Sequence, residues 1–236
     1  MLSFLKKSPP QCSAVIVAAG SARRMGGIDK IMADLGGKPV IYRAIRAFEE
    51  CPAIHEIIVV TREDLMGPVS QWCAAWDCKK VRMVLCGGED RLASVSIGCA
   101  AVSKKSRLIA VHDGARPLVS RRIISETVEM AGRNGAAAPA IRVKDTVKQA
   151  QNGTVTATPD RSCLFAVQTP QIFDADLLRA ALKNASDKAL PVTDDCSCVE
   201  ALGMRVFLTE GEERNLKITT PMDLKIAELW LEGEEA

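Results

Sequence analysis

No CxxC pair occurs in the 236 residues, and only two histidines, His55 and His112, are present. The nine cysteines come closest together as Cys73/Cys78 and Cys196/Cys198, with neither histidine near either pair in sequence, which argues against a zinc site. They read instead as reduced, small core residues in a reducing compartment. Long hydrophobic runs are missing as well: nothing approaches the roughly twenty apolar residues of a membrane span. The opening "MLSFLKKSPP" has too short an apolar stretch for a secretory signal, so a cytoplasmic protein is expected. Excess charge is also lacking. Lys and Arg number 31 against 29 Asp and Glu, a net charge of +2, so no nucleic-acid or membrane partner is expected and any anion site must come from local clustering. Neither familiar nucleotide fingerprint is present. Gly20 is followed two residues later by Ala22, which breaks GxGxxG; Met25 and the lack of a Lys-Ser/Thr pair break the P-loop pattern. Repeats and low-complexity tracts are absent, and no linker marks a domain boundary.

What remains is an ordinary soluble composition, 47% hydrophobic and 25% charged, in a chain long enough to bury one α/β core without disulfides or metal. Short apolar runs at Ala14–Ala19, Glu56–Thr61, Val81–Cys86, Leu108–His112 and Ala136–Val143 predict strands. Helical patterns lie between them near Pro39–Glu50, Val69–Trp76, Arg91–Val102 and Ser120–Arg133, the last with a Ser cap. Such alternation predicts a mostly parallel sheet with helices on both faces, whose ligands sit beyond the carboxyl ends of the strands. The alternation breaks at "VKDTVKQAQNGTVTATPDR". There Thr146, Val147, Val155 and Thr156 read as two polar strands joined by an Asn152-Gly153 turn. With no apolar face to bury, this stretch (about 144–162) reads either as an arm that packs on a second copy of the chain or as a mobile surface excursion. "CLFAVQTPQIF" then returns as a buried strand and turn. Helices near Ala175–Ala185 and Asp195–Leu202, a strand at Arg205–Leu208 and a closing helix at Pro221–Leu231 follow. The expectation is one domain over residues 1–236, carrying an arm.

Three loops carry chemistry. In "AAGSARRMGGIDK", Gly20, Ser21 and Ala22 let backbone N–H groups approach a polyphosphate, and Arg23, Arg24 and Lys30 add cations. A solvated basic turn is the alternative. "CGGEDRLASV" follows a strand with Gly87-Gly88 and opens a helix near Arg91 and Ser94, either an anion site at a helix N-terminus or an ordinary turn with a serine cap. In "VHDGARPLVS", Asp113 falls at the same edge. A carboxylate beside a polyphosphate is repulsive unless it holds a divalent cation, and Arg116 can pair with it or with the ligand. His112 reads as a satisfied structural residue or as one that orients its neighbours.

Taken together, "AAGSARRM" with Lys30, "GGEDRLASV", "HDGARP", "KDT", "TPQ", "TDD" and "NLKITT" closely resemble the 2-C-methyl-D-erythritol 4-phosphate cytidylyltransferase family, in order, from about Ser13 to Leu231. Two features depart from the family pattern. Ala22 stands for the second loop glycine, and Lys30 lies between Asp29 and Ile31 rather than in a Pro-Lys-Gln context.

The resemblance implies a Rossmann-like nucleotidyltransferase that joins a sugar-alcohol phosphate to the α-phosphorus of CTP with Mg²⁺ and releases pyrophosphate. It implies Arg24 and Lys30 as the groups that stabilise the transition state, and Asp113 as the metal ligand. Ala18, Ala19, Gly20, Gly87, Gly88, Ser94 and Gly114 would surround the nucleotide. Arg161 and Lys217 would position the sugar phosphate, with Thr146, Thr169, Thr193, Thr219 and Arg116 beside it. The arm would reach across a homodimer. Close rivals share parts of the pattern: a ribitol 5-phosphate cytidylyltransferase, nucleotidyltransferases of the sugar-1-phosphate or molybdopterin type, and a CTP-binding regulator without turnover. Some relatives carry a second pathway enzyme; a single-function form is expected here.

Overall fold

The structure, a computed structural model, describes residues 11–20 and 29–235. The first half runs β1 (Cys12–Ala18), α1 (Val40–Glu49), β2 (Ile54–Thr61), α2 (Glu63–Ala75), β3 (Val81–Cys86), α3 (Arg91–Ala101), β4 (Leu108–Asp113) and α4 (Arg121–Asn134). The second adds β5 (Ala136–Arg142), the hairpin β6 (Gln149–Gln151) and β7 (Thr154–Ala157), β8 (Phe165–Val167), β9 (Gln171–Asp174), α5 (Ala175–Asp187), α6 (Asp195–Glu200), β10 (Phe207–Glu210) and α7 (Pro221–Glu235). The main sheet has the order β10-β5-β9-β4-β1-β2-β3, with β8 also on β5. β1 pairs in parallel with β2 and β4, β2 with β3, and β5 with β10, while β9 runs antiparallel between β4 and β5.

The central strands read as near-continuous apolar runs because both faces are covered. Cys12, Ala14, Ile16 and Ala18 of β1 join Ile57 and Val59 of β2 in one core cluster, packed under α1 and α4. Val15, Ile58 and Val60 point the other way, into a second cluster shared with α3, α5 and α6. Helix α1 buries Val40, Ile41, Ala44, Ile45 and Phe48, one face at helical spacing. α4 starts on Ser120, whose hydroxyl accepts the Ile123 N–H, and stops at Gly135 in the left-handed region (φ 88°).

The α/β sheet and most elements match expectation, with four differences. Helix α2 begins at Glu63, six residues before the expected start, because Pro68 is accommodated inside it. The strand expected at Arg205–Leu208 lies at Phe207–Glu210, where it pairs with β5 from Ala137 to Ala140. "CLFAVQTPQIF" splits: β9 is buried, whereas β8 is exposed throughout. The hairpin forms on Asn152 and Gly153, both at positive φ, but its first strand is Gln149–Gln151 rather than Thr146 and Val147. Its seven strand residues are all exposed.

Candidate active site

Parallel pairing brings three loops to one edge. Register places Ala18 opposite Thr61, Thr61 opposite Cys86, and Val17 opposite Asp113, so β1, β3 and β4 end at the same edge, with β2 between β1 and β3. Two hydrogen bonds carry the ladder into the loops: Gly87 N–H to Thr61 O and Gly114 N–H to Val17 O, both 2.8 Å. A Cβ on Gly87 would stand 2.4 Å from the Ala19 Cβ, so the first two loops touch through a position that only glycine fits. Between the loops is a cavity of about 390 Å³, lined among others by Ala18, Ala19, Gly20, Lys30, Gly88, Ser94, Asp113 and Lys217.

The start of α3 faces this cavity. Its cap is Asp90, whose carboxylate accepts the Ala93 N–H, and not Ser94. Ser94 instead ties the glycine turn to the helix: its hydroxyl donates to Asp90 O at 2.8 Å and accepts the Gly88 N–H at 3.1 Å.

Asp113, 8% exposed, is ringed by cations. Lys217 Nζ stands 2.7 Å away, an Arg91 nitrogen 3.7 Å and Arg116 Nε 3.9 Å. Burial alone would raise the carboxyl pKa; Lys217 first, then Arg91 and Arg116, outweigh it and hold the group at about 2. Arg91 grips Asp195 with two nitrogens at 2.8 and 2.7 Å. Burial opposes its charge, but the buried Asp195 carboxylate raises the guanidinium above its ordinary value. Gln171 in turn anchors Asp195, accepting the Asp195 and Cys196 N–H groups at 3.0 and 3.1 Å.

Behind Asp113 lies a buried polar network. Asp113 N–H donates to Thr169 Oγ1 (3.1 Å), which also meets His112 Nδ1 (3.0 Å); His112 Nε2 faces Arg116 O (3.1 Å). Arg116 donates to Asn215 O at 2.6 Å, and Asn215 Nδ2 donates to Thr169 O at 2.9 Å.

The expected site residues therefore divide. Ala18, Ala19, Gly20, Lys30, Gly88, Ser94, Asp113 and Lys217 line one cavity, and Gly87 and Gly114 shape its wall. Thr169 and Arg116 sit just behind it, turned into the network. Thr219 lies elsewhere, its hydroxyl donating to Asp223 at 2.8 Å at the start of α7. Exposed Thr193 also lies outside the lining. Arg161 and Thr146 sit on the arm, Arg161 in a separate recess with Arg142 and Lys144, where it donates to Lys144 O at 2.6 Å. Arg24 lies outside the described residues. Asp195, Asn215 and Gln171 were not singled out from the sequence, and Arg91 was placed only at a helix start. Their signal is tertiary: the second acidic residue of "TDD" matters because α6 aims it at Arg91.

Among the described residues no three His, Cys, Asp or Glu side chains converge on a metal position. Three carboxylates line the cavity, exposed Glu89, the helix cap Asp90 and buried Asp113; Mg²⁺ carried on a polyphosphate needs one or two protein carboxylates and keeps its waters, and Asp113 is the candidate to hold it.

A mostly parallel sheet with glycine loops, a helix N-terminus, cations and a buried carboxylate at its edge defines an α/β nucleotidyltransferase. The comparisons narrow this class. The family model for 2-C-methyl-D-erythritol 4-phosphate cytidylyltransferase matches residues 12–233. A protein of that name from Caldanaerobacter subterraneus subsp. tengcongensis is 42% identical over 93% of this chain and 98% of its own. Another from Symbiobacterium thermophilum is 43% identical over 94% and 93%. The crystal structure of 4-diphosphocytidyl-2C-methyl-D-erythritol synthase from Anaerococcus prevotii superposes with a TM-score of 0.86 at 30% identity, covering 95% of this chain and 97% of that one. The chain belongs to the 2-C-methyl-D-erythritol 4-phosphate cytidylyltransferase family and is a cytidylyltransferase. Neither the ribitol phosphate reading nor the non-catalytic reading is favoured by these matches.

Proposed function

We propose that the chain transfers the cytidylyl group of CTP to 2-C-methyl-D-erythritol 4-phosphate, forming 4-diphosphocytidyl-2-C-methyl-D-erythritol and pyrophosphate in the non-mevalonate route to isoprenoids. The observation that carries this reading is the meeting of two glycine loops, Asp113 and Lys217 in a single cavity. An oxygen of the 4-phosphate forms a bond to the α-phosphorus; the bond to the β-phosphate oxygen breaks, and pyrophosphate leaves with the electron pair. The phosphomonoester is already ionised near neutral pH, its second pKa being about 6, so no general base is needed. Positioning and charge stabilisation supply the catalysis.

Backbone N–H groups of Ala18 to Gly20 and of Gly87 and Gly88, with Ser94 and Gly114, hold the nucleotide. Arg24 and Lys30 stabilise charge on the α-phosphorus and on the departing pyrophosphate. Asp113 would hold Mg²⁺, and the ion would offset the negative charge of the triphosphate. Lys217 holds the incoming phosphate; Arg116 and Thr169 act from behind it by fixing the Asp113 turn, while Thr193 and Thr219 stand outside the cavity lining.

Arg161 and Thr146 reach this chemistry from a second copy of the chain. Support comes from the exposed hairpin and from exposed Phe165, Val167, Phe207 and Leu208 on strands that both pair with β5. An apolar band of this kind beside a projecting arm suits burial in a homodimer. A reducing cytoplasm suits the nine free cysteines.

Phosphorus NMR tests the chemistry directly. CTP, Mg²⁺ and the tetritol phosphate should give the paired signals of a new diphosphate diester together with free pyrophosphate. Release of orthophosphate instead of pyrophosphate would show attack at another phosphorus and overturn the assignment.

A further inference from the structure

His112 is fully buried, packed against the ring of Phe48 at 4.8 Å, and does not itself line the cavity. Its hydrogen bonds nevertheless have only one consistent direction. Arg116 O can only accept, so Nε2 carries the proton. Nδ1 then accepts from the Thr169 hydroxyl, and the Thr169 oxygen keeps a lone pair for the Asp113 N–H. A neutral imidazole satisfies every group in the chain, and burial favours that form, lowering the His112 pKa to about 4.

The two ring nitrogens act on different parts of the site. Through Thr169, Nδ1 fixes the peptide that presents the Asp113 carboxylate. Through the Arg116 carbonyl, Nε2 fixes the turn after β4, which is closed by Arg116 N–H on Asp113 O at 2.9 Å. Arg116 then holds Asn215 O, and Ala115 O accepts the Ile218 N–H at 2.9 Å, so the segment carrying Lys217 is clamped on both sides.

We propose that His112 is a positioning residue that sets Asp113 through one ring nitrogen and Lys217 through the other. The proposal rests on the cytidylyltransferase reading for what those two side chains bind. A histidine that merely fills space would be equally served by any substitution that keeps the fold. A positioning histidine has two arms that can be cut separately. His112→Asn places an acceptor where Nδ1 lies and removes the Nε2 donor. His112→Gln reaches the Arg116 carbonyl with an amide donor and removes the acceptor for Thr169.

The test measures both variants against the natural enzyme in two ways. Calorimetry gives CTP affinity with Mg²⁺ and with EDTA; steady-state kinetics gives kcat and the KM for the tetritol phosphate. His112→Gln should lose about tenfold of the strengthening that Mg²⁺ gives to CTP binding, with affinity in EDTA unchanged. His112→Asn should keep that strengthening and raise the KM for the tetritol phosphate by about tenfold. Thermal unfolding confirms that each variant is folded at the assay temperature. Identical changes in the two variants, or constants equal to the natural enzyme in both, would overturn the proposal. If the natural enzyme released no pyrophosphate, the activity reading would fail instead, and the binding arm would still decide whether His112 sets Asp113.

Discussion

Lys217 Nζ lies 2.7 Å from an Asp113 carboxylate oxygen, joining the end of β4 to a segment more than a hundred residues later in the chain. In the proposed mechanism the contact joins the carboxylate assigned to Mg²⁺ to the cation assigned to the incoming phosphate. It is also the largest single reason that Asp113 stays ionised despite its burial.

Replacing Lys217 by methionine keeps the stem and removes the charge. Turnover of the sugar phosphate should fall by about a hundredfold, while CTP affinity in EDTA changes far less. Parallel losses in CTP affinity and turnover would make Lys217 a nucleotide contact.

Gly87→Ala should weaken CTP binding, because the added methyl group meets the Ala19 Cβ at 2.4 Å and neither group can rotate away. The overpacking costs about 1–3 kcal/mol and pushes the two glycine loops apart. Adding Ala19→Gly to the same chain removes the opposing methyl group. The Ser94 hydroxyl still stands 2.8 Å from the added methyl group, so calorimetry on the double variant should recover part of the lost affinity, a coupling that independent sites would not show.

How far the sequence carried is clearest in this cavity. The two glycine loops and Asp113 were legible because the loops directly follow strands and Asp113 ends one, and strands of a parallel sheet end at one edge. Lys217 came from the family resemblance, and its contact with Asp113 is visible only once the chain has folded back. Arg91 illustrates the limit: its partner, Asp195, is 104 residues away. β9 was legible as apolar but not as antiparallel, since direction depends on which neighbours it enters between. β8 looked buried because Phe165, Ala166 and Val167 are apolar, yet all three are exposed. Thr219 shows a competing role: a threonine before a helix finds a local partner, here Asp223.

The metal-free protein should lose stability as the pH falls from about 6.5 toward 4. His112 has a folded-state pKa of about 4, chiefly because burial disfavours the imidazolium; its ordinary value is near 6.5. Between these limits the unfolded chain binds a proton that the folded chain does not. Stability therefore rises with pH through the window and is fully present above it. The displacement corresponds to about 3 kcal/mol. Urea midpoints in EDTA at pH 7.0, 5.5 and 4.5 measure it, and His112→Asn should flatten the slope.

Mixing inactive chains tests where Arg161 acts. Arg161→Ala and Lys217→Ala should each be nearly silent alone. Co-refolded in equal amounts, they should regain about a quarter of the natural activity, since half the dimers are mixed and each of these carries one intact site. No recovery would place Arg161 on its own chain's cavity.

Pyrophosphate release with CTP and Mg²⁺, comparing 2-C-methyl-D-erythritol 4-phosphate with ribitol 5-phosphate, decides most. Turnover with the branched tetritol phosphate, and little with the ribitol compound, is the expected result. Turnover with ribitol phosphate alone, or CTP binding with no release from either, would contradict it.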